Sequence, residues 1–428
     1  MLYKYNDNEN HETIFGLEAT QLKFGRNSLK ELGWELSKYN SKKILLVIDP
    51  ILHSLNITQK ILDQIKSSGA EVIIYDNISV EPTLESFEVA SQFSLENCFN
   101  LIIAVGGGST IDTAKVTNLI KVCGGKVMDY VNPPIGDGKK PSFPLLPLIA
   151  IPTTSGSGSE ATSVAVLDIP DLKLKTGISH RFLRPTLALV DPELSLTTPS
   201  GVTASTGLDV LCHAIESFIS KPYNHREKPN SPDERPPYQG SNPVSDIWSI
   251  KAIEYCGKFL SRAVQNKKDI EARGYMMLSA TLAGIGFGTA GVHIPHACAY
   301  PIAGLKHTYQ ASGYNKKFIP HGISVIITAP AVFRSTYEVD PEKHIKVAEL
   351  LKGNTINNPS SESLPYELIK LMKKVGAPSG IKELGYEKKN ITSIIEGAMK
   401  QHRLLSIAPK TINENDLNQI LIQSIENW

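Results

Sequence analysis

Short apolar runs rich in Ile, Leu and Val recur from residue 42 onward, and amphipathic segments separate them. The clearest runs are KKILLVID, EVIIYD and NLIIAVGGG, and further strand candidates are LPLIAIPT, SVAVLD and PTLALVDP. Between the first three runs, the segments SLNITQKILDQIKSSG and ESFEVASQFSLENC are predicted to be helices. Strands that are apolar throughout and alternate with helices are typical of a parallel sheet with both faces covered. We therefore predict an α/β domain over residues 1–192.

After Pro192 the strand signals nearly vanish. Three long segments rich in small and aliphatic residues predict helices: ASTGLDVLCHAIESFIS, VSDIWSIKAIEYCGKFLSRAV and EARGYMMLSATLAGIGFG. Residues 221–246 interrupt them and are dense in Pro, Asn and charge, which is typical of a functional lid or a disordered insert. Since 428 residues exceed what one core usually supports, we predict a second, helical domain over residues 193–428, with an insert at 221–246.

Composition narrows the class of partner. The chain has 44 Lys plus Arg against 43 Asp plus Glu, which gives no bulk electrostatic reason to bind nucleic acid or an anionic membrane. Five scattered cysteines without a C-x-x-C pair indicate reduced thiols. The N-terminal segment lacks an apolar signal region, and no apolar run approaches the roughly 18 residues that span a bilayer. We expect a cytoplasmic homo-oligomer that acts on a small molecule.

A glycine run closes one predicted strand and opens a helix. Gly106, Gly107, Gly108 and Ser109 follow the apolar run IIAV, and the helix continues through Asp112. Backbone without side chains lets a phosphate approach, and the N–H groups at a helix start stabilise its charge. The run therefore predicts a pyrophosphate cradle at the carboxyl end of a parallel sheet. The alternative is a glycine-rich turn that binds no ligand.

Two further features favour a dinucleotide. The polar loop PTTSGSGSE follows the run LPLIAI, and its hydroxyl and N–H groups suit ribose and nicotinamide amide groups. Asp49 closes the first strand, where a carboxylate can accept hydrogen bonds from an adenosine ribose and repel a 2′-phosphate. This position favours NAD over NADP. The alternative is that Asp49 only caps a helix that begins at Pro50.

Acidic and imidazole side chains cluster in the second half. Asp209 and His213 are four residues apart, so they project from one face of a predicted helix. His293, His296 and His321 follow downstream. A carboxylate with three imidazoles suits a divalent first-row ion such as iron or zinc. The alternative for any single histidine is a buried core residue without a ligand.

The order of these motifs resembles the iron-containing alcohol dehydrogenase family. The shared motifs are GGGSTIDTAK, PTTSGSGSE, LVDPEL, TGLDVLCHAIES, an H-x-x-H region and IPHG. The resemblance implies a Rossmann-like NAD-binding domain followed by an all-α metal-binding domain, as in dehydroquinate synthase-like folds, with iron favoured over zinc. The metal ligands that it implies are Asp209, His213, His296 and His321. The cofactor contacts that it implies are Asp49, Gly106, Gly107, Gly108, Ser109, Asp112, Thr153, Thr154 and Lys175.

Several departures from the common family pattern resemble its hydroxyacid–oxoacid transhydrogenase branch. The chain has Tyr300 where the family commonly places a histidine, and it has the additional His293. We expect one of these residues to move the substrate proton, or to support a ligand instead. The long insert contains Arg226 and Arg235, which we predict to hold the substrate carboxylate, although both also fit solvated loop residues.

The resemblance implies a metal- and NAD-dependent oxidoreductase. The expected reaction oxidises 4-hydroxybutyrate to succinic semialdehyde and reduces 2-oxoglutarate to 2-hydroxyglutarate while the nicotinamide stays bound. An NAD-dependent alcohol dehydrogenase that releases NADH is one alternative. A lyase resembling 3-dehydroquinate synthase is another, although the ligand region lacks the basic phosphate site that it would need. A binding protein without activity is a weaker alternative, because a full metal ligand set has no evident role in binding alone.

Overall fold

The computed structural model describes Tyr3, Asn8, residues 10–172 and residues 174–428. The chain divides into two compact units, Ala19–Thr198 and the combination of Met1–Glu18 with Pro199–Trp428. The first is α/β and the second is helical, which confirms the predicted fold class. The division falls at 198/199, whereas the sequence placed it at 192/193, and the described part of Met1–Glu18 lies with the helical unit because Glu12 bonds to the insert there.

The α/β unit is built on a parallel sheet. Its elements in chain order are β1 (Gln21–Phe24), α1 (Leu32–Ser37), β2 (Lys43–Ile48), α2 (Ile51–Ser54), α3 (Ile57–Ser67), β3 (Glu71–Tyr75), α4 (Leu84–Glu96), β4 (Leu101–Gly106), α5 (Gly108–Cys123), α6 (Val127–Tyr130), β5 (Leu148–Pro152), β6 (Val164–Ile169), β7 (Leu174–Ser179) and β8 (Leu187–Val190). Six strands pair in the order β1-β8-β5-β4-β2-β3, all parallel. Because β4 and β5 are adjacent and parallel, the loops that follow them leave the same edge of the sheet.

Both faces of this sheet are buried, which explains the continuous apolar strands. Successive residues of a strand point to opposite faces. Leu46 and Ile103 therefore belong to a core that includes residues of α1 and α3, whereas Val47 and Ala104 belong to a second core with residues of α4 and α5. A strand that is apolar at every position fits only such a doubly covered sheet.

The strands β1 and β7 were not predicted from the sequence, and β6 and β7 lie outside the parallel sheet. β1, with the sequence QLKF, is an edge strand with mostly exposed side chains, so it lacks the apolar run of a central strand. β7 pairs antiparallel with β6 in a separate two-stranded sheet, in the register Val164↔Ser179. The predicted strand SVAVLD is thus a strand, but its partner is the neighbouring hairpin strand.

The second unit is helical. Its helices are α7 (Ser200–Ile219), α8 (Pro243–Gln265), α9 (Ile270–Ala290), α10 (Ile294–Leu305), α11 (His321–Ile326), α12 (Ala329–Thr336), α13 (Pro341–Lys352), α14 (Ser363–Val375), α15 (Ile391–Met399), α16 (His402–Leu405) and α17 (Glu414–Gln423). One large apolar core joins them, with α7 against α8 and α9, and α10 against α15 and α16. Among the described residues, no single helix has the length and apolar character to cross a bilayer; α9 and α10, bent by 106° at their break, pass that test only as a pair.

The insert at 221–246 is described and makes contacts within the helical unit. The backbone N–H of Gln239 donates to the carbonyl of Thr289 at 2.7 Å, and that of Gly240 donates to Ala290 at 3.2 Å. Carbonyl groups at a helix end lack partners within the helix, so the insert satisfies two at the end of α9. Asn242 then caps α8 by accepting from the Val244 and Ser245 N–H groups. The insert therefore runs beside the segment that leads into α10.

Candidate metal centre and cofactor loops

One face of α7 carries three acidic or imidazole side chains. Asp209, His213 and Glu216 lie at helical spacings of four and three residues, so they project in similar directions. All three are buried, with Glu216 at 0% exposure. A helix with charged groups on its buried face requires compensating partners, because an unpaired charge in a core is costly.

Two histidines from other helices complete the cluster. His296 lies on α10 and His321 is the first residue of α11. The Nε2 atoms of His213 and His296 lie 3.7 Å from Asp209 Oδ1, and that of His321 lies 3.9 Å from it. Tetrahedral ligands about 2.1 Å from an ion lie about 3.4 Å apart, which is close to these separations. The structure thus brings the four predicted ligands within 4.8 Å of one another.

The glycine of the IPHG motif allows this convergence. A side chain at Gly322 would place its Cβ 1.9 Å from the carbonyl oxygen of Ser205 and 2.9 Å from Asp209 Cβ. No residue with a side chain fits at such distances, so α11 can lie directly against α7 only with glycine here. The close approach brings His321 to Asp209.

Glu216 is a site residue that the sequence analysis missed. Its Oε1 lies 2.6 Å from His296 Nδ1, and its Oε2 accepts the His293 N–H at 2.6 Å. Because a carboxylate only accepts, this contact places the His296 proton on Nδ1 and leaves the Nε2 lone pair for a ligand. Carboxylate support of this kind is common behind metal-binding histidines. Glu216 could have been predicted from the sequence, because it continues the helical face of Asp209 and His213.

The electrostatics of the cluster fit a cation. Among the described residues, Asp209 Oδ1 and His296 Nε2 are buried without a hydrogen-bond partner, and both face the centre of the cluster. Burial lowers the pKa of His296, but Glu216 and Asp209 outweigh it and raise that pKa to about 9. For His213, burial dominates and lowers the pKa to about 3. The carboxylates of the cluster therefore stabilise positive charge at His296, while His213 stays neutral and keeps a lone pair for a ligand, and both properties suit a divalent ion.

The two candidate proton-transfer residues lie in different surroundings. His293 caps α10 and is fully buried, with Nδ1 accepting the Ile294 N–H at 2.8 Å. Burial lowers its pKa to about 4. Tyr300 is also buried, but its ring lies 5.8 Å from the ring of His321. Tyr300 thus adjoins a predicted ligand directly, whereas His293 adjoins the ligands through its backbone contact to Glu216.

In the α/β unit, two loops meet at the edge of the sheet. The Thr153 N–H donates to the carbonyl of Gly106 at 3.0 Å, which joins the first residue after β5 to the last residue of β4. A Cβ on Gly108 would lie 2.5 Å from Ser157 Oγ, and one on Gly107 would lie 3.3 Å from Thr154 Oγ1. Packing against Ser157 therefore favours glycine at position 108, whatever binds there. The helix α5 begins at Gly108 with Gly107 as its cap, so no side chain covers the N–H groups of its first residues, as the predicted pyrophosphate cradle would require.

Four predicted cofactor side chains make contacts that hold this unit together. Asp112 accepts hydrogen bonds from Ser159 Oγ and from the Val166 N–H, and its neighbour Lys115 lies 3.6 Å away. Lys175 pairs with Glu81. Asp49 Oδ1 accepts the Ile51 N–H at 3.0 Å, which is the helix-start role given above as its alternative. Ser109 Oγ likewise accepts the Glu81 N–H at 3.2 Å. These contacts do not show whether the four residues also bind NAD, so their NAD roles stay predictions.

The two arginines predicted to bind a carboxylate have partners inside the helical unit. Arg235 Nε donates to Glu12 Oε2 at 2.9 Å, and Glu12 is 1% exposed. Arg226 Nη1 donates to the carbonyl of Gln239 at 3.1 Å. The Glu12 N–H also donates to the Arg226 carbonyl. The contacts of Arg226 and Arg235 with Glu12 thus fix the segment around Glu12 to the insert. Their predicted substrate role therefore has no support from these contacts.

Sequence comparisons assign the chain to a family along most of its length. Residues 19–192 match the family described as Iron-containing alcohol dehydrogenase, and residues 238–425 match Fe-containing alcohol dehydrogenase family, C-terminal. The chain belongs to the iron-containing alcohol dehydrogenase family. It is therefore an oxidoreductase, and the family name agrees with a metal at the Asp–His cluster.

Curated proteins similar to this chain include transhydrogenases. The chain is 43% identical over 420 residues to the mitochondrial hydroxyacid-oxoacid transhydrogenase of Rattus norvegicus, covering 96% of this chain and 90% of that protein. It is 42% identical to the protein of the same name from Homo sapiens, again covering 96% and 90%. The predicted resemblance is thus confirmed.

Solved structures of the same family share the fold. A crystal structure of 1,3-propanediol oxidoreductase superposes with a TM-score of 0.82 at 28% identity, covering 96% of this chain and 100% of that one. The alcohol dehydrogenase from Oenococcus oeni gives a TM-score of 0.83 at 25% identity, with the same coverage. The α/β unit followed by a helical unit is therefore the architecture of iron-containing alcohol dehydrogenases.

Proposed function

We propose that the protein is a hydroxyacid–oxoacid transhydrogenase that uses a divalent metal ion, with iron favoured, and NAD. The observation that carries the proposal is identity above 40% to curated transhydrogenases over nearly the whole chain. The substrate pair is 4-hydroxybutyrate with 2-oxoglutarate, and the products are succinic semialdehyde and 2-hydroxyglutarate. The two half-reactions balance, because the hydride and proton removed from one substrate are those gained by the other.

The residues of the helical unit organise the reacting oxygen. Asp209, His213, His296 and His321 would hold the ion, which as a Lewis acid lowers the pKa of a substrate hydroxyl. Glu216 keeps the His296 proton on Nδ1, and the short approach at Gly322 keeps His321 in place. Tyr300 beside His321, or His293 behind Glu216, would move or stabilise the substrate proton.

The α/β unit would hold NAD through backbone more than through side chains. Gly106, Gly107 and Gly108 at the start of α5 would bind the pyrophosphate, and Thr153 and Thr154 lie in the loop packed against them. Retention of the nicotinamide between the two half-reactions distinguishes the transhydrogenase from its alternative. That alternative, an alcohol dehydrogenase that releases NADH, is favoured by the structural match to 1,3-propanediol oxidoreductase.

One experiment separates the two activities. The purified protein is mixed with 4-hydroxybutyrate and 2-oxoglutarate without added NAD, and both products are assayed. Equal amounts of succinic semialdehyde and 2-hydroxyglutarate over many turnovers support the transhydrogenase. Turnover that occurs only with added NAD and accumulates free NADH supports the alcohol dehydrogenase instead.

Two further expectations stay proposals. We place the protein in the cytoplasm because its five cysteines are all free, which fits a reducing compartment, although the relatives are named mitochondrial. Cell fractionation tests this placement. We also propose a homo-oligomer without nucleic acid or membrane partners. Light scattering coupled to size exclusion chromatography measures the molar mass and so tests the oligomeric state.

A further inference from the structure

A partly buried arginine near the metal centre lacks an acidic partner among the described residues. Arg403 lies on α16, and its Nη1 is buried without a hydrogen-bond partner among the described residues. The described chain also places no carboxylate within ion-pair distance of this guanidinium, whereas Arg226 and Arg235 bond to Gln239 and Glu12. The side chains of Tyr238 and Tyr300 lie within hydrogen-bonding reach of this guanidinium, whereas Nη1 has no partner and would be open to an anion.

Two tyrosines surround this guanidinium. Its Cζ lies 4.4 Å from the ring centroid of Tyr238, which is 3% exposed and belongs to the insert. Burial lowers the pKa of Arg403, but the adjacent Tyr238 and Tyr300 outweigh it, so that the pKa lies above its ordinary value. Arg403 therefore stays charged. We call Arg403, Tyr238 and Tyr300 the arginine cluster.

The fold connects the arginine cluster to the metal ligands. Tyr300 is one turn along α10 from His296, and its ring is 5.8 Å from that of His321. α16 packs against α10, which brings Arg403 to Tyr300. The hydrogen bond from Gln239 to the end of α9 fixes the insert beside α9, next to Tyr238 in the sequence. The insert thus contributes Tyr238 to the arginine cluster.

The energetics favour an anionic ligand over a purely structural role. Removing a charge from water is unfavourable unless a counter-charge and hydrogen bonds compensate it. The cation–π contact with Tyr238 and the hydrogen bonds to the two tyrosines compensate only part of this cost, because neither tyrosine carries a negative charge. The open Nη1 group is therefore explained by a ligand that supplies negative charge during function. A carboxylate matches the planar guanidinium by accepting two parallel hydrogen bonds.

We propose that the arginine cluster binds the carboxylate of the hydroxyacid and oxoacid substrates, with Arg403 as the anchor. The inference rests on the proposed function for the identity of the substrates, but it assigns the carboxylate site to residues other than Arg226 and Arg235. A substrate anchored at Arg403 would direct its other end past Tyr300 toward His321. The cluster would thereby select a hydroxyacid over a neutral alcohol of the same length.

The test measures binding separately from turnover. The variants are Arg403→Met, which keeps much of the side-chain length but removes the charge, and Arg403→Lys, which keeps the charge but loses the planar fork. Arg334→Met is the matched control, because Arg334 lies on the same unit and pairs with exposed Glu362. Calorimetry measures binding of butyrate, a carboxylate that lacks the reacting hydroxyl, and of neutral 1-butanol to the metal- and NAD-loaded proteins.

We expect butyrate to bind Arg403→Met more weakly than the native protein by roughly tenfold or more, as loss of a desolvated charge contact implies. Binding of 1-butanol, metal content and NAD binding should change little, and Arg334→Met should match the native protein. If Arg403→Met does not fold, Arg403→Lys decides the test, with an expected loss of about threefold or more for butyrate.

The outcomes for the inference and for the proposed function are distinct. Native-like butyrate binding by a folded Arg403→Met or Arg403→Lys protein would overturn the arginine cluster as the carboxylate site, even if transhydrogenase activity is present. Absence of transhydrogenase activity in the native protein would overturn the proposed function, whereas a butyrate affinity that depends on Arg403 would still support the site.

Discussion

The two units build their candidate sites by different means. In the α/β unit, the site is mostly backbone: glycines at the start of α5 pack against the loop after β5, while Asp112 and Lys175 are occupied by contacts inside the unit. In the helical unit, the site is made of side chains from α7, α10 and α11. Backbone sites depend on local strand and helix geometry, whereas side-chain sites depend on how separate helices pack. Substitutions should therefore affect the two units in different ways.

The largest expected effect follows from removing a metal ligand. We expect His296→Ala and His321→Ala each to lose both the bound metal and activity, because each removes one of four converging ligand atoms. NAD binding should persist, because the predicted NAD site and the metal ligands are built from residues of different units. Elemental analysis measures the metal, and fluorescence titration measures NAD.

A buried histidine outside the cluster provides the control for that experiment. His344 is 1% exposed and hydrogen-bonds to Thr336 at 2.9 Å. His344→Ala should lower stability but keep stoichiometric metal. If both His296→Ala and His321→Ala also retain stoichiometric metal, the ligand assignment is wrong.

A smaller effect is expected at Glu216, which contacts a ligand without being one. Glu216→Gln keeps an acceptor near His296 Nδ1 but removes the charge, and loss of such support typically costs about 10–100-fold in metal affinity or activity. Competition with a chelator measures the affinity. Glu367→Gln is the control, because Glu367 is a buried glutamate of the same unit that pairs with Lys370. Equal metal affinity in both variants would show that Glu216 only supports the fold.

The sequence predicted what depends on local pattern. The central strands, the glycine run after β4 and the Asp209–His213 pair on α7 each follow from spacing within one element. Arg403 could not be found in this way, because its neighbours Tyr238 and Tyr300 come from distant segments that only the packing of α10 and α16 brings together. The partner of Arg235 escaped for the same reason, since Glu12 lies in a segment that the sequence assigned to the other domain.

In the α/β unit, the corresponding side-chain prediction concerns Asp49. Asp49→Asn keeps an oxygen that can accept the Ile51 N–H but removes the charge, so the preference for NAD over NADP should narrow by roughly tenfold. Asp49→Gly removes both and should narrow the preference to a similar extent. Titration with each dinucleotide measures the ratio. A native protein that prefers NADP, or a ratio unchanged in Asp49→Asn, would leave Asp49 as a helix-start residue only.

The smallest expected effect on activity is at Arg235, where the structure favours a role in stability. Arg235→Ala leaves buried Glu12 with the N–H groups of Thr13 and Ile14 as its hydrogen-bond donors among the described residues, which should cost about 1–3 kcal/mol of unfolding free energy. Burial raises the pKa of Glu12, but Arg235 and these N–H groups outweigh it, so that the folded pKa lies below the ordinary value. A lowered carboxyl pKa stabilises the folded state above the ordinary value of about 4.3, and this stabilisation is lost as the pH falls through the folded pKa. The stability difference between native and Arg235→Ala proteins should therefore be full at neutral pH and shrink below about pH 4.

Thermal unfolding across this pH range measures the stability difference. Arg334→Ala is the control, because the exposed ion pair of Arg334 should contribute about 0–1 kcal/mol. Steady-state kinetics complete the test, since unchanged stability together with a loss of about tenfold or more in kcat/KM for the hydroxyacid would return the carboxylate site to the insert.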